Sequence, residues 1–264
     1  MFPFGAPCRR IVGFAPSDLV SGNKVYEILT IVILSGAAGV CIPLGGLIAS
    51  FERIHPNWLE REFRHFVIAF GGGILLGAVA IVLVPEGVAG MNDSAIAIVV
   101  ILAGGGAFFL IERALGLRRR ETPQLMGMLL DYVPEAIALG GLVASRSPIA
   151  PLLALLIGLQ NLPEGFNSYR EIICTKQCSP KKTLSFMGKL VIIGPVAGIA
   201  GYYFLSEYQA VLSAIMLFAS GGILYLIFQD IAPQSRLNKH WMPPLGAVVG
   251  FCVALFSKMM VISA

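Results

Sequence analysis

Apolar residues in this chain gather into runs of about twenty, separated by short stretches rich in charge, proline or glycine. Wound as a helix at 1.5 Å per residue, such a run spans the roughly 30 Å hydrocarbon layer of a bilayer. Eight runs can be drawn, at about 26–49, 66–84, 94–115, 124–144, 149–173, 184–206, 208–231 and 242–262. The pattern predicts an all-α integral membrane protein, an eight-transmembrane-helix bundle. No linker or change of composition divides it, so residues 26–262 read as a single transmembrane domain behind an exposed N-terminal tail, 1–25. That tail holds Pro3, Pro7, Arg9, Arg10, Pro16 and Asp18 and lacks the continuous apolar region of a signal peptide.

Composition excludes the main alternatives. Of 264 residues 56% are hydrophobic and 13% charged, about half the roughly 25% charge of a soluble domain. Five scattered cysteines are too few for a disulfide scaffold. The net charge of +4 matters only through its placement. When loops are assigned alternately to the two sides, thirteen basic residues fall after the odd-numbered spans, five fall opposite, and Lys189 lies within span six. The positive-inside rule then predicts a cytoplasmic location for the thirteen and places both termini outside. The triple Arg118-Arg119-Arg120 fits an anchor on anionic cytoplasmic lipid better than a nucleic-acid contact. The lipid bilayer is therefore an expected partner and nucleic acid is not.

Two internal similarities suggest repetition. Asp131-Tyr132-Val133-Pro134-Glu135-Ala136 and Gln160-Asn161-Leu162-Pro163-Glu164-Gly165 share a polar-x-x-Pro-Glu-small pattern. More weakly, Gly72-Gly73-Ile74-Leu75 recurs as Gly221-Gly222-Ile223-Leu224, each followed by a helix-ending proline, Pro85 and Pro233. Spans 1–3 and 6–8 would then be related halves around a central pair. An odd offset of five spans makes them inverted, a 3+2+3 architecture common among secondary transporters.

Carboxylates inside a span are costly and by default functional. Spans four, five and seven contain Asp131, Glu135, Glu164 and Asp230, with the amides Gln160, Asn161 and Gln229. Asp131 and Glu135 are four residues apart and share a helix face, about 6 Å apart along the axis. Gln160, Glu164, Asn167 and Glu171 form a polar stripe down span five, an expected pathway toward the cytoplasm. Pro134 and Pro163 cannot donate to the carbonyls of Leu130 and Leu159, which frees both beside the acids. Carboxylates, amides and a loosened backbone converging from two helices describe a site for a hard or borderline cation.

These motifs resemble those of the ZIP (Zrt/Irt-like) family of divalent metal transporters. In that family span four carries His-(Ser/Asn)-x-Pro-Glu-Gly, and span five His-Asn-x-Pro-Glu-Gly with Gln replacing the histidine in some members. Gln160 to Gly165 fits the second pattern. The glycine-rich span two ending at Pro85-Glu86, Gly194-Pro195-Val196-Ala197-Gly198 in span six and Asp230 three residues before Pro233 fit as well. The resemblance implies a homodimer and a binuclear site, one metal among Asp131, Glu135, Gln160 and Glu164. A second would use Asn161 and Asp230 with both glutamates bridging, and Gln229 would serve if span seven were rotated. It also implies metal movement toward the cytoplasm by alternating access; the topology points to a plasma or bacterial inner membrane, with an organelle membrane as the alternative.

Departures from the family pattern define this chain. Asp131 stands where the family has histidine, Tyr132 where it has Ser or Asn, and Ala136 where it has glycine. His55, His65 and His240 all fall in expected loops, and the histidine-rich loop before span four is replaced by the short basic 116–123. Oxygen ligands suit Mg²⁺, Ca²⁺ or Mn²⁺ whereas imidazole suits Zn²⁺, Cu²⁺ and Ni²⁺, so weaker zinc discrimination and a manganese or iron preference are expected. The metal is substrate, and no permanently bound cofactor or enzymatic activity is expected. Transport is expected to depend on pH, since a dry site that releases a metal favours neutral carboxyls. Two other classes fit less well: a proton-coupled organic-solute carrier or non-transporting ZIP-like relative, and an intramembrane metalloenzyme. Cys174 and Cys178 form a C-x3-C spacing that lacks the further ligands of a zinc site.

Overall fold

Each apolar run is helical, because a chain in hydrocarbon must satisfy its backbone hydrogen bonds internally. A computed structural model of the protein describes residues 16–51, 57–91, 93–115, 123–206, 208–237 and 241–263, with no strand among them. The helices are α1 (Pro16–Phe51), α2 (Asn57–Ala78), α3 (Val84–Ala89), α4 (Ser94–Leu115), α5 (Pro123–Ala144) and α6 (Ala150–Lys176). They continue with α7 (Pro180–Leu190), α8 (Ile193–Leu205), α9 (Gln209–Leu226), α10 (Ala232–Ser235) and α11 (Leu245–Ser263). Among the described residues six segments are long and apolar enough to cross a membrane, and α11 is a shorter apolar helix. The protein is an all-α, multi-pass membrane bundle. The first fifteen residues of the expected tail, Arg118-Arg119-Arg120, His55 and His240 lie outside the described residues; α1 begins at Pro16, inside the stretch read as tail.

Prolines shape the spans without ending them where the sequence pattern does. Pro85 and Pro233 were expected to terminate helices, yet the chain stays helical to Ala89 and Ser235. A five-residue π-helical stretch precedes each proline closely, Val79–Leu83 and Ile227–Ile231. The wider turn relieves the clash between the proline ring and the carbonyl four residues back. At Pro85 that carbonyl is Ile81's, and Lys258 Nζ donates to it from α11 at 3.1 Å. Span six is instead interrupted at Val191–Ile192, four and three residues before Pro195, and divides into α7 and α8.

The most extensive packing pairs α1 with α6, α11 with α2, α5 with α8 and α4 with α9. Contacts of α1 with α8 and α5 with α6 join four helices into one group, α3 with α9 joins spans two and seven in the other, and α2 with α6 and α5 with α9 pack across the boundary between them. Exchanging spans 1 with 6, 2 with 7, 3 with 8 and 4 with 5 leaves these four dominant pairings unchanged. The π-helical stretches in spans two and seven obey the same exchange.

Candidate functional site

α5 and α6 lie against each other and bring the two Pro-Glu motifs together. Asp131, Glu135, Gln160, Asn161, Glu164 and Asn167 are each at most 8% exposed. Gln160 Nε2 donates to Glu135 Oε2 at 2.5 Å, Asn161 Nδ2 to the Ala38 carbonyl of α1 at 3.0 Å, and Asn167 Nδ2 to the Pro163 carbonyl at 2.9 Å. Every one of the six keeps a buried oxygen without a hydrogen-bond partner in the protein: Asp131 Oδ1, Glu135 Oε1, Gln160 Oε1, Asn161 Oδ1, Glu164 Oε2 and Asn167 Oδ1. Leaving one such group unsatisfied costs about 1–3 kcal/mol, so a concentration of six is a large local cost to fold stability.

A cavity of about 30 Å³ lies where the two helix groups meet. Asp131, Glu164 and Asn167 line it from α5 and α6, and Asp230 lines it from the π-helical stretch after α9, with Gly71 and Gly72 of α2 as a side-chain-free wall. Glu135, Gln160 and Asn161 are not in this lining. Among the described residues no three His, Cys, Asp or Glu side chains are grouped closely enough to hold one ion.

Span seven presents Asp230 to the cavity and turns Gln229 away. Gln229 Nε2 donates to Glu112 Oε1 of α4 at 3.3 Å, and the Tyr225 hydroxyl donates to the other oxygen of that carboxylate. Glu112, 5% exposed, is an intramembrane acid that sequence reasoning missed. The signal was its place inside the apolar run 94–115, obscured by the neighbouring Arg113 read as loop. Tyr132 also points away from the cavity: its hydroxyl donates to the Ser35 carbonyl of α1 at 3.3 Å. Cys174 and Cys178 are free thiols.

Glu171 has a local task. Its Oε2 accepts from the backbone N–H of Gln124 at 3.1 Å and of Leu125 at 3.4 Å. These are the first N–H donors of α5, because Pro123 has none. Glu171→Ala is expected to lower stability by about 1 kcal/mol, read by thermal unfolding of the purified protein, with Glu171→Gln losing less. At the same end, Gln124 Nε2 donates to Gln234 Oε1 of α10 and bridges the two helix groups.

No protein-family model matches the chain, and no curated protein matches it.

Proposed function

We propose that the protein is a ZIP-like divalent metal cation transporter that moves metal toward the cytoplasm by alternating access. The observation that carries this reading is the set of six buried oxygens without partners on Asp131, Glu135, Gln160, Asn161, Glu164 and Asn167. Such donors suit a hard cation passing through, which would complete several of them at once. The cavity is small, about 30 Å³, room for about two or three waters, which favours an ion over an organic solute.

In this reading the protein has eight spans with both termini outside, and its halves are inverted repeats. The exchange symmetry of helix pairing and the twin π-helical stretches support that arrangement. Alternating access would slide the group holding α5 and α6 past the group holding α2 and α9. Asp131, Glu164 and Asp230, spread across this boundary, would gather on the ion as it arrives, with Glu135 reached from behind. Four carboxylates would balance the charge of two divalent ions.

Purified protein in proteoliposomes is expected to take up Mn²⁺, with Zn²⁺ poorly discriminated, because the donor set is all oxygen. Asp131→His adds an imidazole and is expected to shift preference toward zinc by about tenfold. A native site holding zinc about a hundredfold tighter than manganese would overturn the oxygen-ligand reading. Absence of any divalent uptake would overturn the transporter.

A further inference from the structure

An open, two-part groove runs along the outer face of α1 and α6, on the side of these helices away from the ion cavity. Its upper part is a cavity of about 330 Å³ with polar walls from Glu27, Thr30, Arg146 and Ser147. Its lower part is an apolar cavity of about 350 Å³ floored by Ala37, Ala38 and Gly158 and reaching Leu162. Leu34 and Pro151 line both, so the two adjoin. From Pro151 to Leu162 is eleven residues, or roughly 16 Å of helix, about half the 30 Å hydrocarbon layer. That is the depth of one leaflet.

The polar end is built at the expense of backbone comfort. Ser147 N donates to the Leu142 carbonyl at 2.9 Å and Arg146 N to the Val143 carbonyl at 3.0 Å, the paired bonds of a Schellman cap after α5. Arg146 occupies the left-handed position with φ 54°, where glycine is the usual residue because a Cβ is strained there. Its guanidinium is tied on one edge: Nε and Nη2 donate to Glu27 Oε1 at 3.1 and 3.0 Å. Tyr202 of α8 donates to the other oxygen, Glu27 Oε2, at 2.7 Å. A guanidinium has five N–H donors, and this side chain is 68% exposed, so its other edge faces outward over the groove. Tyr26, 69% exposed, lines this end, and Tyr203, 62% exposed, stacks edge-on against Tyr202, both amphipathic rings of the kind that favour the headgroup level.

We infer that this groove binds a glycerophospholipid, its phosphate on Arg146 and one acyl chain along Ala37, Ala38 and Gly158 to Leu162. The inference rests on the reading that α1 and α6 cross the bilayer, and it is independent of whether metal is carried. A bound chain would brace α6 behind Gln160 and Asn161, and it explains why arginine occupies a position suited to glycine.

The test uses the full-length protein, stripped of lipid in detergent and titrated with phosphatidylethanolamine, and measured by native mass spectrometry and thermal unfolding without metal. The expected result is one tightly retained lipid and a raised melting temperature, with diacylglycerol, which lacks phosphate, retained about tenfold less well. Arg146→Gly relieves the strained backbone, so the variant folds, yet it should retain phospholipid about tenfold less well. Ala37→Phe fills the floor from the lipid side and should abolish retention. Equal retention by native protein, Arg146→Gly and Ala37→Phe would overturn the site. So would a native dimer that Ala37→Phe dissociates, since a second copy would then occupy the groove. Loss of metal uptake with lipid retention intact would count only against the transporter.

Discussion

Glu164→Gln is expected to abolish divalent-metal uptake while leaving the metal-free protein as stable as the native one, or more stable. Glutamine matches glutamate in shape, so packing is unchanged, and the two effects have different causes. Glu164 is 8% exposed, and its Oε2 has no hydrogen-bond partner in the protein. Replacing such a carboxyl by a neutral amide removes a buried ionisable group whose charged form no protein hydrogen bond at Oε2 stabilises. For a metal the same substitution removes an anionic ligand, and even loss of a residue that merely supports a ligand typically costs 10–100-fold. Uptake should therefore fall by about a hundredfold or more, measured in proteoliposomes beside thermal unfolding. Glu135→Ala makes the contrast: it should also abolish uptake, but it strands Gln160 Nε2, now bonded at 2.5 Å, and should lower stability by about 1–3 kcal/mol. Unchanged uptake in Glu164→Gln would remove the carboxylate from the pathway. A loss of stability alone would make it a packing residue.

The sequence carried the helices and the two motif faces because both depend on local pattern. Apolar runs fix most of the spans within a few residues, although α1 and α2 begin ten and nine residues before the runs at 26 and 66, and a four-residue spacing fixes Asp131 and Glu135 on one side of α5. Span seven was harder to read for a physical reason. Between Gly221 and Pro233 the helix widens into a π stretch at Ile227–Ile231, which shifts the phase of the faces by one residue. A regular 3.6-residue period cannot decide whether Gln229 or Asp230 faces the cavity, and the structure turns Asp230 in and Gln229 toward Glu112. Glu112 and Lys258 were missed because each lies near the end of an apolar run, where charge is expected anyway. Their roles appear only when the partners come from other helices, Glu112 with Tyr225 and Gln229, and Lys258 with the Ile81 carbonyl freed by Pro85. Glu171 shows the converse. It lies at the end of the expected stripe, but it is outside the cavity lining and its carboxylate caps α5, a role that depends on where α5 begins and on Pro123.

Gly165→Val is expected to destroy the folded protein, whereas Ala136→Gly, at the matching position of the other motif, should cost only about 1 kcal/mol. The two positions look interchangeable in the motif and differ in what crosses them. A Cβ on Gly165 would meet the α1 backbone at Ile42, with that residue's carbonyl carbon and Cα both at 2.9 Å and its carbonyl oxygen nearer still. Backbone cannot rotate aside as a side-chain tip can, so α1 and α6 would have to separate along the most extensive interface in the molecule. Among membrane helices, where packing rather than water expulsion drives association, small residues are what permit such approach. Overpacking a tight core costs about 1–3 kcal/mol and at times more, and β-branched valine adds two methyl groups beyond the Cβ already in conflict. Ala136 is fully buried and already accommodates its Cβ beside α8, so trimming it only loosens a helix. Yield of monodisperse protein after detergent extraction and its melting temperature separate the two variants. Native-like behaviour of Gly165→Val would mean that the α1–α6 crossing is not held at this distance. The site would then lose its rear wall, because Asn161 reaches the Ala38 carbonyl across that same interface.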